Sequence, residues 1–144
     1  MTEQVNLDAI ELEPDYRPSE DEPYMNDKQL AYFRRKLLDW RRQIVEDTTH
    51  AKENINESEN QADEIDRASV ETDRYTELRT VEREQRLLSK IDAALRRIET
   101  GEFGYCEVTG EPIGVRRLDA RPVATMSIEA KEAQERQERH IAED

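Results

Sequence analysis

Apolar residues recur at steps of three and four along two long stretches of the chain. Leu30, Phe33, Leu37, Trp40, Ile44, Thr48, Ala51 and Ile55 mark one face of the first; Tyr75, Leu78, Val81, Gln85, Leu88, Asp92, Leu95 and Ile98 mark one face of the second. That period is helical, and a stripe this narrow suits a seam between two helices. Each run covers about 30 residues, roughly 45 Å of helix, so the two can bury each other if the chain doubles back between them. The turn then falls near residues 60–68, the acidic stretch Asn-Gln-Ala-Asp-Glu-Ile-Asp-Arg-Ala. A single long helix dimerising in parallel competes with the hairpin, because Tyr24 to Thr100 contains neither glycine nor proline. The hairpin is preferred because the stripe lapses between Ile55 and Tyr75, where Asn54, Asn56, Ser58 and Asn60 are poor helix-interior residues. Asp63 or Asn60 would cap the return helix.

Local signals set the boundaries. Asn26 with Gln29 resembles a capping box and starts the first helix at about Asp27. The second helix is expected to end at Thr100, with Gly101 taking the left-handed conformation just past it. All four glycines lie between Gly101 and Gly114, which predicts a turn-rich unit with Phe103, Tyr105, Ile113, Val115, Leu118 and Val123 as its miniature core. Arg121-Pro122 leads to a last helix from near Ser127, Ile128 to about Ile141, polar enough to fray at its far end. Before all this, residues 1–26 carry eight acids against one base and three of the five prolines, the composition of an extended or disordered segment. Within it Val5, Leu7, Ile10 and Leu12 are an apolar set able to dock. The expected fold is mainly α: an acidic segment (1–26), a long antiparallel coiled-coil hairpin (27–100), then a small globular, degenerate zinc-finger-like unit lacking zinc with a C-terminal helix (101–144).

Composition narrows the function. With 40% charged and 35% hydrophobic residues among 144, the chain cannot wrap a broad core along its length, whereas a two-helix seam needs few apolar residues. A net charge of −13 argues against bulk attraction to nucleic acid or to an anionic membrane and favours a basic protein partner. No run of about 18 apolar residues suggests a membrane span, and the first residues lack the basic and apolar regions of a signal peptide; a cytoplasmic protein is expected. His50 and His140 have no partner that would make them a catalytic base or a ligand, and no residue set suggests an enzyme.

Cys106-Glu-Val-Thr109, followed after seventeen residues by Ser127-Ile-Glu-Ala130, has the spacing of a four-cysteine zinc site with three ligands missing. Threonine, serine and alanine are not zinc ligands here, so the unit should depend on its small core instead of a metal. Cys106, the single cysteine, reads as a small buried hydrophobe more readily than as a reactive thiol.

Four motifs then carry a resemblance: Tyr-Met-Asn-Asp-Lys-Gln-Leu-Ala-Tyr-Phe-Arg-Arg (24–35), Asp-Glu-Ile-Asp-Arg-Ala-Ser (63–69), Gly-Glu-Phe-Gly-Tyr-Cys-Glu (101–107) and Gly-Val-Arg-Arg-Leu-Asp-Ala-Arg-Pro (114–122). Together, from about Tyr24 to Lys131, the chain resembles the DksA family of bacterial transcription factors. The resemblance implies a non-enzymatic regulator that binds RNA polymerase as a monomer, passes its coiled coil through the secondary channel and cooperates with the alarmone ppGpp at promoters such as those of ribosomal RNA. It implies a tip motif at Asp63, Asp66 and Ala68, polymerase contacts at Arg79 and Arg83, and ppGpp contacts at Leu87, Lys90, Arg121 and Lys131. Glu64 stands where the family commonly has a proline, and the cysteine loss at Thr109, Ser127 and Ala130 places the chain with the zinc-independent members. Bare residue reading assigns Asp63 and Asp66 to helix capping, and Arg79 and Arg83 to a solvated face beside a four-apart Glu82–Arg86 pair. A transcript-cleavage-assisting factor like the Gre proteins, or a structural coiled-coil adaptor, are the competing functions.

Overall fold

The computed structural model describes residues 5–61 and 67–143. A short 3-10 turn, Leu7–Ala9, precedes four α-helices: α1 (Asp27–Gln61), α2 (Arg67–Thr100), α3 (Val115–Ala120) and α4 (Ile128–Glu143). The only pairing of extended backbone among the described residues is an antiparallel bridge between Tyr105 and Pro112.

The start of α1 follows from its cap. Asn26 Oδ1 accepts the Gln29 backbone N–H at 2.8 Å, as the sequence predicts. The return bond shifts by one residue: Gln29 Oε1 accepts from Met25 N–H, not Asn26 N–H. Gln29 is fully buried because its amide also donates to the Ser19 carbonyl at 3.1 Å, tying the preceding segment to the helix. At the other end of the pair, α2 stops at Thr100, and Gly101 has φ +81° with the Glu102 and Phe103 N–H groups folding back onto the Arg97 carbonyl, the left-handed C-terminal motif.

Contacts divide the chain into two units, residues 1–37 with 93–144, and residues 38–92. In the second, Arg41 pairs with Asp92 at 2.8 Å and Thr48 donates to Glu84 at 2.6 Å. Partners that descend along α2 as α1 ascends make the helix pair antiparallel, which decides for the hairpin. Ile44, Val81 and Ile91 are buried along this seam. The expected stripe is corrected on α2: Gln85 is exposed and Ile91 is buried. Val81, Glu84, Leu87, Ile91, Ala94 and Ile98 still follow steps of three and four, the ones between Val81 and Ile98 shifted by one residue from the expected stripe, and Glu84 is half-buried because buried Thr48 supplies its hydrogen bond. Tyr75 and Leu78, also counted in the stripe, are 61% and 43% exposed.

The first unit carries the miniature core. Phe103, Ile113, Val115, Leu118 and Val123 are buried as predicted, with Phe33 and Leu37 of α1 also fully buried; a fully buried side chain of this size contributes about 2 kcal/mol. Phe33 meets Phe103 with centroids 5.5 Å apart. Tyr105 departs from expectation: it is 38% exposed and packs edge-on against Tyr24. The acidic N-terminal segment, read as extended or disordered, docks here: Asp8 pairs with Arg34 at 3.0 Å, the Ile10 carbonyl accepts from Arg35, and Tyr16 meets Tyr32 edge-to-face. Leu7, Ile10 and Leu12 are half-buried, whereas Val5 stays exposed.

Candidate functional site

In the second unit the candidate residues of α2 share one face. Arg79, Arg83 and Lys90 are exposed, Leu87 is half-buried, and spacings of four, four and three bring successive members one turn apart. Arg86 belongs to the same face and was missed in the sequence, where it was paired with Glu82; among the described residues it makes no ion pair. The helical spacing Arg83–Arg86–Lys90 was the available signal. Arg79 lies over the Tyr75 ring at 5.8 Å. Arg83, Arg86, Leu87 and Lys90 line a groove of about 520 Å³ with Trp40 and Ile44 of α1. Asp47 and Glu84 also border it, and the Thr48 hydroxyl holds Glu84 in place. Indole and leucine surface beside three cations suits an anionic or carboxylate-bearing partner better than an apolar one.

In the first unit Arg121 caps the C-terminus of α3, its N–H donating to the Arg117 carbonyl at 2.8 Å while its own carbonyl accepts from Ala124. Its side chain is exposed and, among the described residues, takes part in no hydrogen bond or ion pair. Lys131 is exposed in the first turn of α4. Leu87 and Lys90 therefore come from one unit, and Arg121 and Lys131 from the other. Asp63 and Asp66 lie outside the described residues; Ala68 is the second residue of α2.

The cysteine-spaced positions are also in the first unit. Cys106 is 3% exposed. Burial raises its pKa, but the Thr109 hydroxyl and the N–H groups of Ser127, Thr109 and Val108 converge on the sulfur and bring it down to about 6. The small-hydrophobe reading is thus incomplete: the burial is as expected, and the sulfur accepts hydrogen bonds where a metal ligand would have been. Glu107 N–H donates to the Thr125 carbonyl at 2.8 Å, joining the two halves of this knuckle. Ser127 Oγ is occupied by the Ala130 N–H at 3.2 Å, and Thr109 Oγ1 by the Glu111 N–H at 3.3 Å.

An antiparallel helix pair followed by a glycine-rich knuckle of zinc-finger spacing, with exposed cations and no assembled catalytic group among the described residues, defines a helical-hairpin protein with a degenerate zinc-finger-like unit. Two family profiles match in tandem: the DnaK suppressor protein DksA N-terminal domain over residues 29–98, and the prokaryotic dksA/traR C4-type zinc finger over residues 101–136. The chain is 60% identical over 126 residues, 87% of its length, to the RNA polymerase-binding transcription factor DksA of Caulobacter vibrioides, covering 89% of that protein. It is 39% identical over 145 residues to that of Escherichia coli K12, with 98% and 94% of the two chains covered. The structure of transcription factor DksA2 from Pseudomonas aeruginosa is similar at a TM-score of 0.78, with 47% identity over 81% of this chain and 91% of that one. The chain belongs to the DksA family, which consists of transcription factors and not of enzymes.

The C4 profile implies zinc, and the residues do not fit it. One thiolate, two hydroxyls already engaged and the Ala130 methyl replace four thiolates, whereas structural zinc takes four sulfur or imidazole ligands. Among the described residues no group of three or more His, Cys, Asp or Glu side chains is placed to hold a metal. No helix among them is long and apolar enough to cross a membrane.

Proposed function

We propose that this chain is a zinc-independent, cytoplasmic transcription regulator that binds RNA polymerase as a monomer through the secondary channel and, with ppGpp, modulates initiation at sensitive promoters such as those of ribosomal RNA. The observation that carries the reading is similarity along nearly the whole chain to proteins named for RNA polymerase binding, with both family profiles in tandem order. Asp63 and Asp66, which follow α1 in the sequence, and Ala68, the second residue of α2, act near the polymerase active centre, where carboxylates alter contacts around bound magnesium and mobile elements. Arg79 and Arg83 hold the polymerase. Leu87, Lys90, Arg121 and Lys131 each contribute to ppGpp binding in the complex with polymerase, the arginine as a planar fork and the lysines as point charges. Single-thiolate chemistry at Cys106 supports zinc independence.

The test is transcription in vitro from a ribosomal RNA promoter. Asp66→Asn is expected to leave binding to core polymerase within about twofold of the parent, because a tip carboxylate contributes little to holding the complex, and to abolish inhibition. Full inhibition by the variant would remove the tip from the mechanism.

A further inference from the structure

Asp119, in the last turn of α3, collects partners from two other parts of the first unit, α1 and the N-terminal segment. Its Oδ1 accepts from the Tyr32 hydroxyl at 2.6 Å and from Lys36 Nζ at 2.7 Å, both on α1; the Lys36 ammonium also reaches the Asp119 carbonyl at 2.5 Å. Arg17 of the N-terminal segment stands 3.5 Å from Oδ2. Burial opposes ionisation of the carboxyl, but Lys36 and Tyr32 hold it below the usual carboxylate range, while burial and the Asp119 bond push Tyr32 up to about 12. Hydrogen bonds to an ionised group are the strong ones, so the last turn of α3 is fastened to α1. Two residues on, Arg121 turns the chain out of the helix with its main chain fixed to Arg117 and Ala124, and among the described residues its side chain makes no hydrogen bond or ion pair.

We infer that Asp119 is a positioning residue for Arg121: the Tyr32–Lys36–Asp119 cluster aims the guanidinium so that it meets an anionic phosphate ligand without reorganising the loop. The inference rests on the assignment of Arg121 to ppGpp and deepens it. A guanidinium held on a fixed backbone loses less freedom on binding than one on a mobile turn. With its carboxylate taken by Tyr32 and Lys36, Asp119 acts on the ppGpp response through Arg121, and any effect on folding is separate from that response.

The experiment titrates ppGpp into polymerase bound to the full chain, comparing Asp119→Asn, Asp119→Glu, Tyr32→Phe and Arg121→Ala. Asp119→Asn is expected to raise the ppGpp concentration for half-effect about tenfold, the worth of one charge-assisted hydrogen bond, with inhibition in the absence of ppGpp unchanged. Tyr32→Phe removes a single bond and keeps the ring packing, so it tests the cluster if Asp119→Asn folds poorly; it should shift the half-effect in the same direction by about threefold. Asp119→Glu should retain most of the response, and Asp119→Asn with Arg121→Ala should be no worse than Arg121→Ala alone. A lost response in Arg121→Ala beside an unchanged one in Asp119→Asn and Tyr32→Phe overturns the positioning role alone. An unchanged response in Arg121→Ala removes the assignment of Arg121 and the inference with it.

Discussion

Replacing Gly104 by alanine should destabilise the first unit by about 3 kcal/mol, made up of two contributions of similar size. The backbone there has φ +91°, and a Cβ built on it would lie 2.9 Å from Met25 Cγ, 3.0 Å from Met25 Sδ and 3.2 Å from the Tyr24 hydroxyl. A left-handed backbone costs an L-residue about 1–2 kcal/mol. Overpacking adds about 1–3 kcal/mol, and it is not relieved cheaply. The methionine end can swing, but the Tyr24 hydroxyl is held from two sides, donating to the Gly104 carbonyl at 2.6 Å and accepting the Gly114 N–H at 2.9 Å. Gly101 provides the control: φ is +81° with nothing within 4 Å of its would-be Cβ, so Gly101→Ala carries only the backbone cost of about 1 kcal/mol. Urea unfolding followed by near-ultraviolet circular dichroism reports on this unit through the Tyr24–Tyr105 pair, while fluorescence of Trp40, the chain's single tryptophan, reports on the other unit. Gly104→Ala should lower the tyrosine-detected midpoint clearly more than Gly101→Ala does. Equal losses in the two variants would mean that Met25 and Tyr24 give way freely and that the close approach at Gly104 is not a constraint.

Two further outcomes follow from the knuckle. Purified protein should contain no stoichiometric zinc, and a strong chelator should leave its melting temperature unchanged, since the donor set cannot hold the metal; a fall in melting temperature on chelation would restore a structural zinc. Cys106 gives the pH dependence: its folded pKa of about 6 lies below the ordinary 9.0, so the native state releases its proton first. The stabilisation is then fully present above about pH 9 and lost as pH falls through about 6. Thermal melts of the parent between about pH 6 and about pH 8.5 should show stability rising relative to Cys106→Ala, and parallel curves for the two proteins would refute the hydrogen-bonded thiolate.

Local chemistry made much of this fold legible. The start of α1 and the end of α2 depend on residues within one turn, Asn26 with Gln29 and Gly101 after Thr100, and the helical period depends only on the spacing of apolar side chains. The absence of three zinc-type ligands is equally local, since a methyl or an engaged hydroxyl cannot be turned into a thiolate by folding. Tertiary structure decided the rest, because the deciding partners lie far along the chain: Thr48 meets Glu84, Tyr24 meets Gly104, and Tyr32 meets Asp119. Those meetings bring Glu84 toward the seam in place of Gln85, leave Tyr105 half open against Tyr24, and dock an acidic segment whose composition alone reads as extended. The candidate face of α2 was half legible: spacing aligns Arg79, Arg83 and Lys90, but only the packing of α1 beside α2 sets Trp40 with Leu87 in a groove and leaves Arg86 without an ion pair among the described residues. A sequence fixes the period and ends of its helices through neighbours one turn away; which faces close on each other, and which charges remain open, is fixed by contacts the chain makes only once it has folded.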